Sequence, residues 1–366
     1  MLSRDYVLAP QVVQVEFSLA PACNLLESMG LLTETERLSG LADWVIQTSS
    51  QLPPETMRRS RLVFDGFFSI FFHCTTPFDF DDFDDYLRDL AARDPFALID
   101  DLWKKIATTP LHYPDSWKQD KPIPTREELM NSREVFVDFM NIIHEKQEDA
   151  LWSEAYDLLQ EPPRLLAFIV DHVRMIYDEY LKPEWERVLP MLQESVAAFQ
   201  KLDYSNMTGY EAIRAVTGRD MTSKLDFSTL GVDRIVFIPS AHIGPYVGKF
   251  VRGHTLYILF GARLPRGVQS PSSDLSRAEL LIRLNALADD SRLRILELLT
   301  HHDELCAQDI IERLGLSQPT VSRHLSQLSA TGYITERRRD TAKCYSLNTD
   351  RVMDTLRSLT NFLSRQ

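Results

Sequence analysis

No run of apolar residues in this 366-residue chain approaches the roughly 18–20 needed to span a bilayer. The richest stretch, GFFSIFF at residues 66–72, is short and follows Asp65. The opening MLSRDYVLAPQ holds no signal-peptide core, so a cytoplasmic chain without membrane attachment is expected. Cysteine is scarce. Cys23, Cys74, Cys306 and Cys344 are scattered without CxxC spacing, which predicts reduced thiols and argues against a disulfide framework. No nucleophile–base pairing, phosphate-cradling loop or zinc spacing stands out either. The residues therefore point away from an enzyme, imply no cofactor and predict no metal site.

What the chain does have is 44% hydrophobic and 25% charged residues, the balance of a soluble globular protein. Its length fits two domains at roughly 100–200 residues each. Charge is divided unevenly. From Asp274 onward there are 13 basic and 13 acidic residues, which leaves 27 basic and 40 acidic residues before it and places there the whole net charge of -13. A neutral segment joined to an acidic one predicts that any nucleic-acid contact belongs to the C-terminal part.

Along the chain, VVQVEF (12–17) alternates like a strand. Helical patterns then dominate to about residue 217, as in 41–52, 80–94, 126–146, 164–181 and 183–202, with prolines between them. RIVFIP (234–239) and TLYILFGA (255–262) read as two strands joined by a loop, SAHIGPYVGKFVRGH, and with the first strand they predict a small sheet. RLPRGVQSPSSD concentrates Pro, Gly and Ser and reads as a linker. The expected fold is mainly α. A helical domain with a small β-sheet (1–264) precedes a linker (265–274) and a winged helix-turn-helix (275–366).

The winged helix-turn-helix is read from the order of its parts. LSRAELLIRLNALADDSRLRILELLT breaks near Asp289–Asp290–Ser291, an N-cap signal for a second helix. ELCAQDIIERLG ends on Gly315, the usual residue after a helix C-terminus. Ser317 then caps a third helix with Pro319 in its first turn. In GLSQPTVSRHLSQL, Val321, Leu325 and Leu328 fall at i, i+4 and i+7 and are expected to pack inward. Ser317, Gln318, Thr320, Ser322, Arg323, His324 and Gln327 are the candidate base or phosphate contacts, with Ser326 also turned outward. Short polar side chains let such a helix sit deep in the major groove, where Gln and Arg pair with adenine and guanine edges. YITERRRDTAKCYSL reads as a hairpin wing whose Arg337, Arg338, Arg339 and Lys343 supply phosphate contacts.

Taken in order, ALADDSRLRILELL, ELCAQDI, GLSQPTVSRHLSQL and GYITERRRDTAKCYSL resemble the ArsR-type (arsenic-repressor-like) winged-helix regulators, over about residues 277–347. The resemblance implies a homodimer that binds an inverted repeat in double-stranded DNA, usually represses transcription, and is released by a signal. Metal-sensing members often carry a pattern like ELCVCDL. Here Gln308 replaces the second cysteine, and one thiolate beside a neutral amide makes a poor soft-metal site, so the metal function does not carry over. Asp340 stands at the wing tip where glycine is common. The last segment, DRVMDTLRSLTNFLSR, puts Val352, Met353, Leu356, Leu359, Phe362 and Leu363 on one stripe. It serves either as a dimer helix or as packing on its own subunit.

Other clusters have plainer readings. Phe67, Phe68, Phe71 and Phe72 are expected as core rather than as an effector pocket. The acids of FDFDDFDDYL suit the first turn of a helix better than a cation site. His301 and His302 read as a solvated helix end, and Cys306 as a buried structural cysteine. For the N-terminal domain, a small-molecule effector site and a protein-binding role both remain open, as does an enzyme fused to its own regulator.

Overall fold

The computed structural model describes residues 13–364 apart from 39, 67–73, 109–123, 145, 220, 223–224, 266–272 and 340–341. The phenylalanine cluster at 67–72, the middle of the expected linker and the wing tip at Asp340 lie outside the described residues. The chain divides into two compact units, one of residues 20–34 and 45–187 and one of the remainder.

The first unit is helical. Its elements run through α1 (Pro21–Leu31), α2 (Asp43–Gln51), α3 (Pro54–Arg61), α4 (Phe83–Ala92), α5 (Pro95–Thr108), α6 (Arg126–Asn131), α7 (Arg133–Ile143), α8 (Asp149–Leu159) and α9 (Pro162–Ile176). Proline opens α1, α3, α5 and α9, where its missing N–H costs nothing. The pattern expected as one helix over 126–146 is two. Thr125 and Glu128 form a reciprocal capping box on α6, and Ser132 then ends that helix and caps α7. Asp82 caps α4 by accepting from the Asp85 N–H, and Asp84 and Asp85 fill its first turn, so these acids form a helix start. Leu25, Leu26, Met29, Tyr86 and Trp152 are among the buried residues, and the Ser60 hydroxyl meets His172 Nε2 at 2.9 Å.

The second unit holds, on the sheet side, α10 (Lys182–Phe199) from Val188 onward, α11 (Gly209–Thr217) and α12 (Phe227–Leu230). The strands are β1 (Gln14–Phe17), β2 (Arg234–Ser240), β3 (Val247–Arg252) and β4 (Thr255–Gly261), in spatial order β1-β2-β4-β3. β1, β2 and β4 are parallel, and β3 runs antiparallel along the edge of β4. The first strand does join the two later ones, but the expected loop 240–254 contains β3. Its sequence VGKFVR carries a glycine and two cations and leaves that strand half-exposed, which hides it from a hydrophobic reading. Phe17, Phe199, Phe237 and Phe260 stack or meet edge-on over the central strands.

The same unit holds the winged helix: α13 (Ser273–Leu287), α14 (Asp290–Thr300), β5 (Leu305–Cys306), α15 (Ala307–Leu314), α16 (Gln318–Thr331), β6 (Ile334–Arg339), β7 (Ala342–Leu347) and α17 (Thr349–Leu363). Its strands order as β5-β7-β6. Ile295, Leu299, Ile310, Val321, Leu325, Leu328, Tyr333 and Ile334 form one core. The fold is thus mainly α, with a C-terminal winged helix-turn-helix. No helix among the described residues is long and apolar enough to cross a membrane.

One expectation about cysteine is overturned. Cys306 and Cys344 stand opposite each other in the antiparallel β5–β7 register and are joined in a disulfide, while Cys23 and Cys74 are free. Register brings together residues 38 apart that no spacing motif connects. Closing a loop of that length contributes about 3–4 kcal/mol. Cys306→Ser is therefore expected to lower the stability of the oxidised protein by that amount in urea unfolding, and reductant should do the same to the wild type. Superimposable curves with and without reductant would rule the bond out as a stabiliser.

Candidate nucleic-acid interface

The helix-turn-helix forms because each end is chemically closed. Gly315 takes a left-handed conformation (φ 65°) and donates its N–H to the Ile311 carbonyl at 2.9 Å. Ser317 then caps α16, accepting from the Thr320 N–H, and the two hydroxyls meet at 2.8 Å. Upstream, Asp289 caps α14 by accepting from the Arg292 N–H, while the Arg292 guanidinium donates to the Ala286 and Asn285 carbonyls at 2.7 Å each. That clamp sets the corner between α13 and α14.

Val321, Leu325 and Leu328 of α16 are buried as expected. Gln318, Ser322, Arg323 and Ser326 are exposed and form one row, with Thr320 half-buried at its flank. His324 and Gln327 depart from the expectation, at 4% and 2% exposure. At about 100° per residue, His324 lies only about 60° from Val321, on the inner flank. Its Nδ1 is 3.8 Å from Asp289 Oδ1, and burial pushes the imidazole pKa down against that carboxylate's pull, with Arg292 and Arg323 adding to the downward shift. Gln327, three residues on, lies on the same flank farther from its centre, against the backbone of Gly40; a Cβ built on that glycine would stand 2.7 Å from the Gln327 amide nitrogen. Both residues serve packing in this arrangement, so neither presents itself to a groove.

In the wing, β6 pairs with β7 so that Arg337 lies opposite Cys344 and Arg338 opposite Lys343. Arg337 is exposed, and Lys343 reaches Glu336 at 3.7 Å. Such a half-exposed pair is worth little. Arg338 lies in β6, but its side chain lies outside the described residues. Cys306 is bound to Cys344, and Gln308 donates to Glu312. His301 ends α14 in an exposed position, and the ring of His302 contacts Arg313 at 2.7 Å.

α17 is capped by Asn348 and pinned through Thr355, whose hydroxyl receives the Tyr333 O–H at 3.0 Å. Its outer stripe is left uncovered, with Met353, Leu356 and Leu363 exposed at 49%, 48% and 70%. Leu281 of α13 is also exposed.

Residues 289–336 match the family described as "Bacterial regulatory protein, arsR family". An "Arsenical resistance operon repressor" from Staphylococcus xylosus is 42% identical over 74 residues, covering 20% of this chain and 70% of that one. A protein of the same description from Staphylococcus aureus is 39% identical over 85 residues, 23% of this chain and 81% of that one. The chain belongs to the arsR family. A "Transcriptional repressor SdpR" from Bacillus subtilis (strain 168) is similar over 80 residues at 35% identity, covering 22% of this chain and 88% of that one. In each case the arsR-family likeness covers under a quarter of this chain.

Proposed function

We propose that this arsR-family chain is a homodimeric repressor that reads an inverted repeat through α16 and is controlled by its N-terminal residues. The observation that carries the reading is the exposed row Gln318, Ser322, Arg323 and Ser326 on a helix whose other side is locked into the core. In that row Arg323 matches the fork geometry of a guanine edge and Gln318 that of an adenine edge. Ser317 and Thr320, at the N-terminus of α16, hold the neighbouring phosphate. Arg337, Arg338 and Lys343 grip the backbone from the wing. Relatives described as operon repressors favour repression over activation. The uncovered stripe of α17, with Leu281 on neighbouring α13, suits an isologous contact with a second copy. Residues 275–366 thus form the reading head. Residues 1–264 act as its regulator rather than as an enzyme.

Selection of genomic fragments from the source organism by the purified chain tests this. Enrichment of one inverted repeat is the expected outcome; recovery of unrelated fragments would contradict it. For the wing, Arg337→Ala and Lys343→Ala are each expected to lower the slope of log affinity against log salt by about one, on any duplex. Unchanged slopes would remove the wing from the interface.

A further inference from the structure

Four arginines surround one small cavity in the second unit. Arg219 follows α11, Arg263 follows β4, Arg283 lies on α13 and Arg351 on α17. The cavity measures about 40 Å³, is partly open, and also has Phe260 and Ile282 in its lining. Among the described residues that line it there is no Asp or Glu. Each guanidinium is anchored by at least one hydrogen bond. Arg219 Nη2 donates to the Pro245 carbonyl at 3.0 Å, Arg263 Nη1 to the Thr217 carbonyl at 2.9 Å, and Arg351 Nε to the Thr331 carbonyl at 2.9 Å. Arg283 Nη1 donates to Asp354, a carboxylate outside the lining. Arg283 and Arg351 keep only 9% and 10% of their side-chain surface exposed. Planar donors pre-positioned in this way are suited to oxyanions, and arginine is the residue that binds phosphate bidentately. The volume suits one small group rather than a whole metabolite.

We propose that this cavity binds the phosphate group of a small phosphorylated molecule and thereby clamps the winged helix to the sheet. Two of the arginines belong to the sheet side and two to the winged helix, so an anion shared among them bridges the two. The bridge lies at the end of the reading helix. Arg351 caps the last turn of α16, and Arg219 Nη1 lies 2.9 Å from where a Cβ on Gly332, the residue ending α16, would stand. The bridged arrangement is the one in which Gln327 is covered by Gly40. Phosphate binding needs no DNA. Its consequence, weaker DNA binding through a shift toward the clamped state, rests on the function proposed above.

Inorganic phosphate is the probe, titrated into the full chain without DNA at constant ionic strength and followed by thermal melting and equilibrium dialysis. A saturable rise in melting temperature is expected. Sulfate should compete and acetate should not. Arg219→Lys with Arg283→Lys, which keeps the charge and removes the forks, should abolish the saturable rise, and so should Arg263→Lys alone if the double variant does not fold. Arg323→Ala should retain it. Absence of saturation, an equal response to acetate, or an unaltered response in the lysine variants would overturn the site. In a second arm with duplex DNA, phosphate should weaken binding by the wild type and not by the double variant. If the lysine variants instead lose DNA affinity with no phosphate present, the arginines hold the phosphates of DNA and the small-molecule site is refuted. Because the first arm contains no DNA, its failure is distinct from a failure of the DNA-reading assignment.

Discussion

Arg323→Ala is expected to weaken binding to the cognate repeat by about 1–3 kcal/mol per half-site, about 5- to 150-fold each, without altering the fold. The side chain is exposed on the outer row of α16, on the side away from the Val321–Leu325–Leu328 face, so its removal opens no cavity. A guanine edge offers two acceptors that only a fork of donors can satisfy together. Arg323→Lys should therefore recover part of the general affinity and little of the discrimination. Fluorescence anisotropy on the repeat and on a scrambled duplex separates these effects. If both duplexes lose affinity equally, Arg323 holds a phosphate and reads no base.

Gly244→Ala is expected to cost about 3 kcal/mol or more of stability, a large loss for the addition of one methyl group. Gly244 has φ 62°, and a Cβ there would stand 2.3 Å from the Gly40 carbonyl oxygen and 3.2 Å from Leu41 Cα. The Gly244 carbonyl is itself 2.6 Å from where a Cβ on Gly261 would stand. Three backbones therefore meet with no flexible side chain to yield. Gly253 supplies the control, since it has φ 54° and nothing within 4 Å of an added Cβ. Gly253→Ala should cost only the left-handed backbone penalty, about 1–2 kcal/mol. Urea unfolding of both variants checks the difference. Equal losses would show that the close approach relaxes at little cost.

The winged helix is legible in the sequence because its punctuation is local. Gly315, Ser317, Pro319 and Asp289 act within one helical turn of themselves, and each stands where its chemistry requires. His324 and Gln327 escape such a reading because i, i+4, i+7 spacing defines the centre of a buried face and not its flanks. What covers a flank comes from elsewhere: Asp289 for His324, and Gly40 for Gln327. The Cys306–Cys344 bond is hidden for a similar reason, since strand register and not spacing brings the two together. β3 reads as loop because an edge strand need not be apolar. The arginine cavity gives no sequence signal at all. Its four members lie on or next to α11, β4, α13 and α17, and only the tertiary fold gathers them.

The affinity ratio between the selected repeat and a scrambled duplex of equal length, measured at physiological salt with the full chain, tests the DNA-reading assignment most directly. Reading by the outer row of α16 predicts a preference of about 10³-fold or more, reduced toward the scrambled value in Arg323→Ala. Equal affinity for the two duplexes, lost together as salt rises, would contradict it: the helix would then be held to DNA by charge alone.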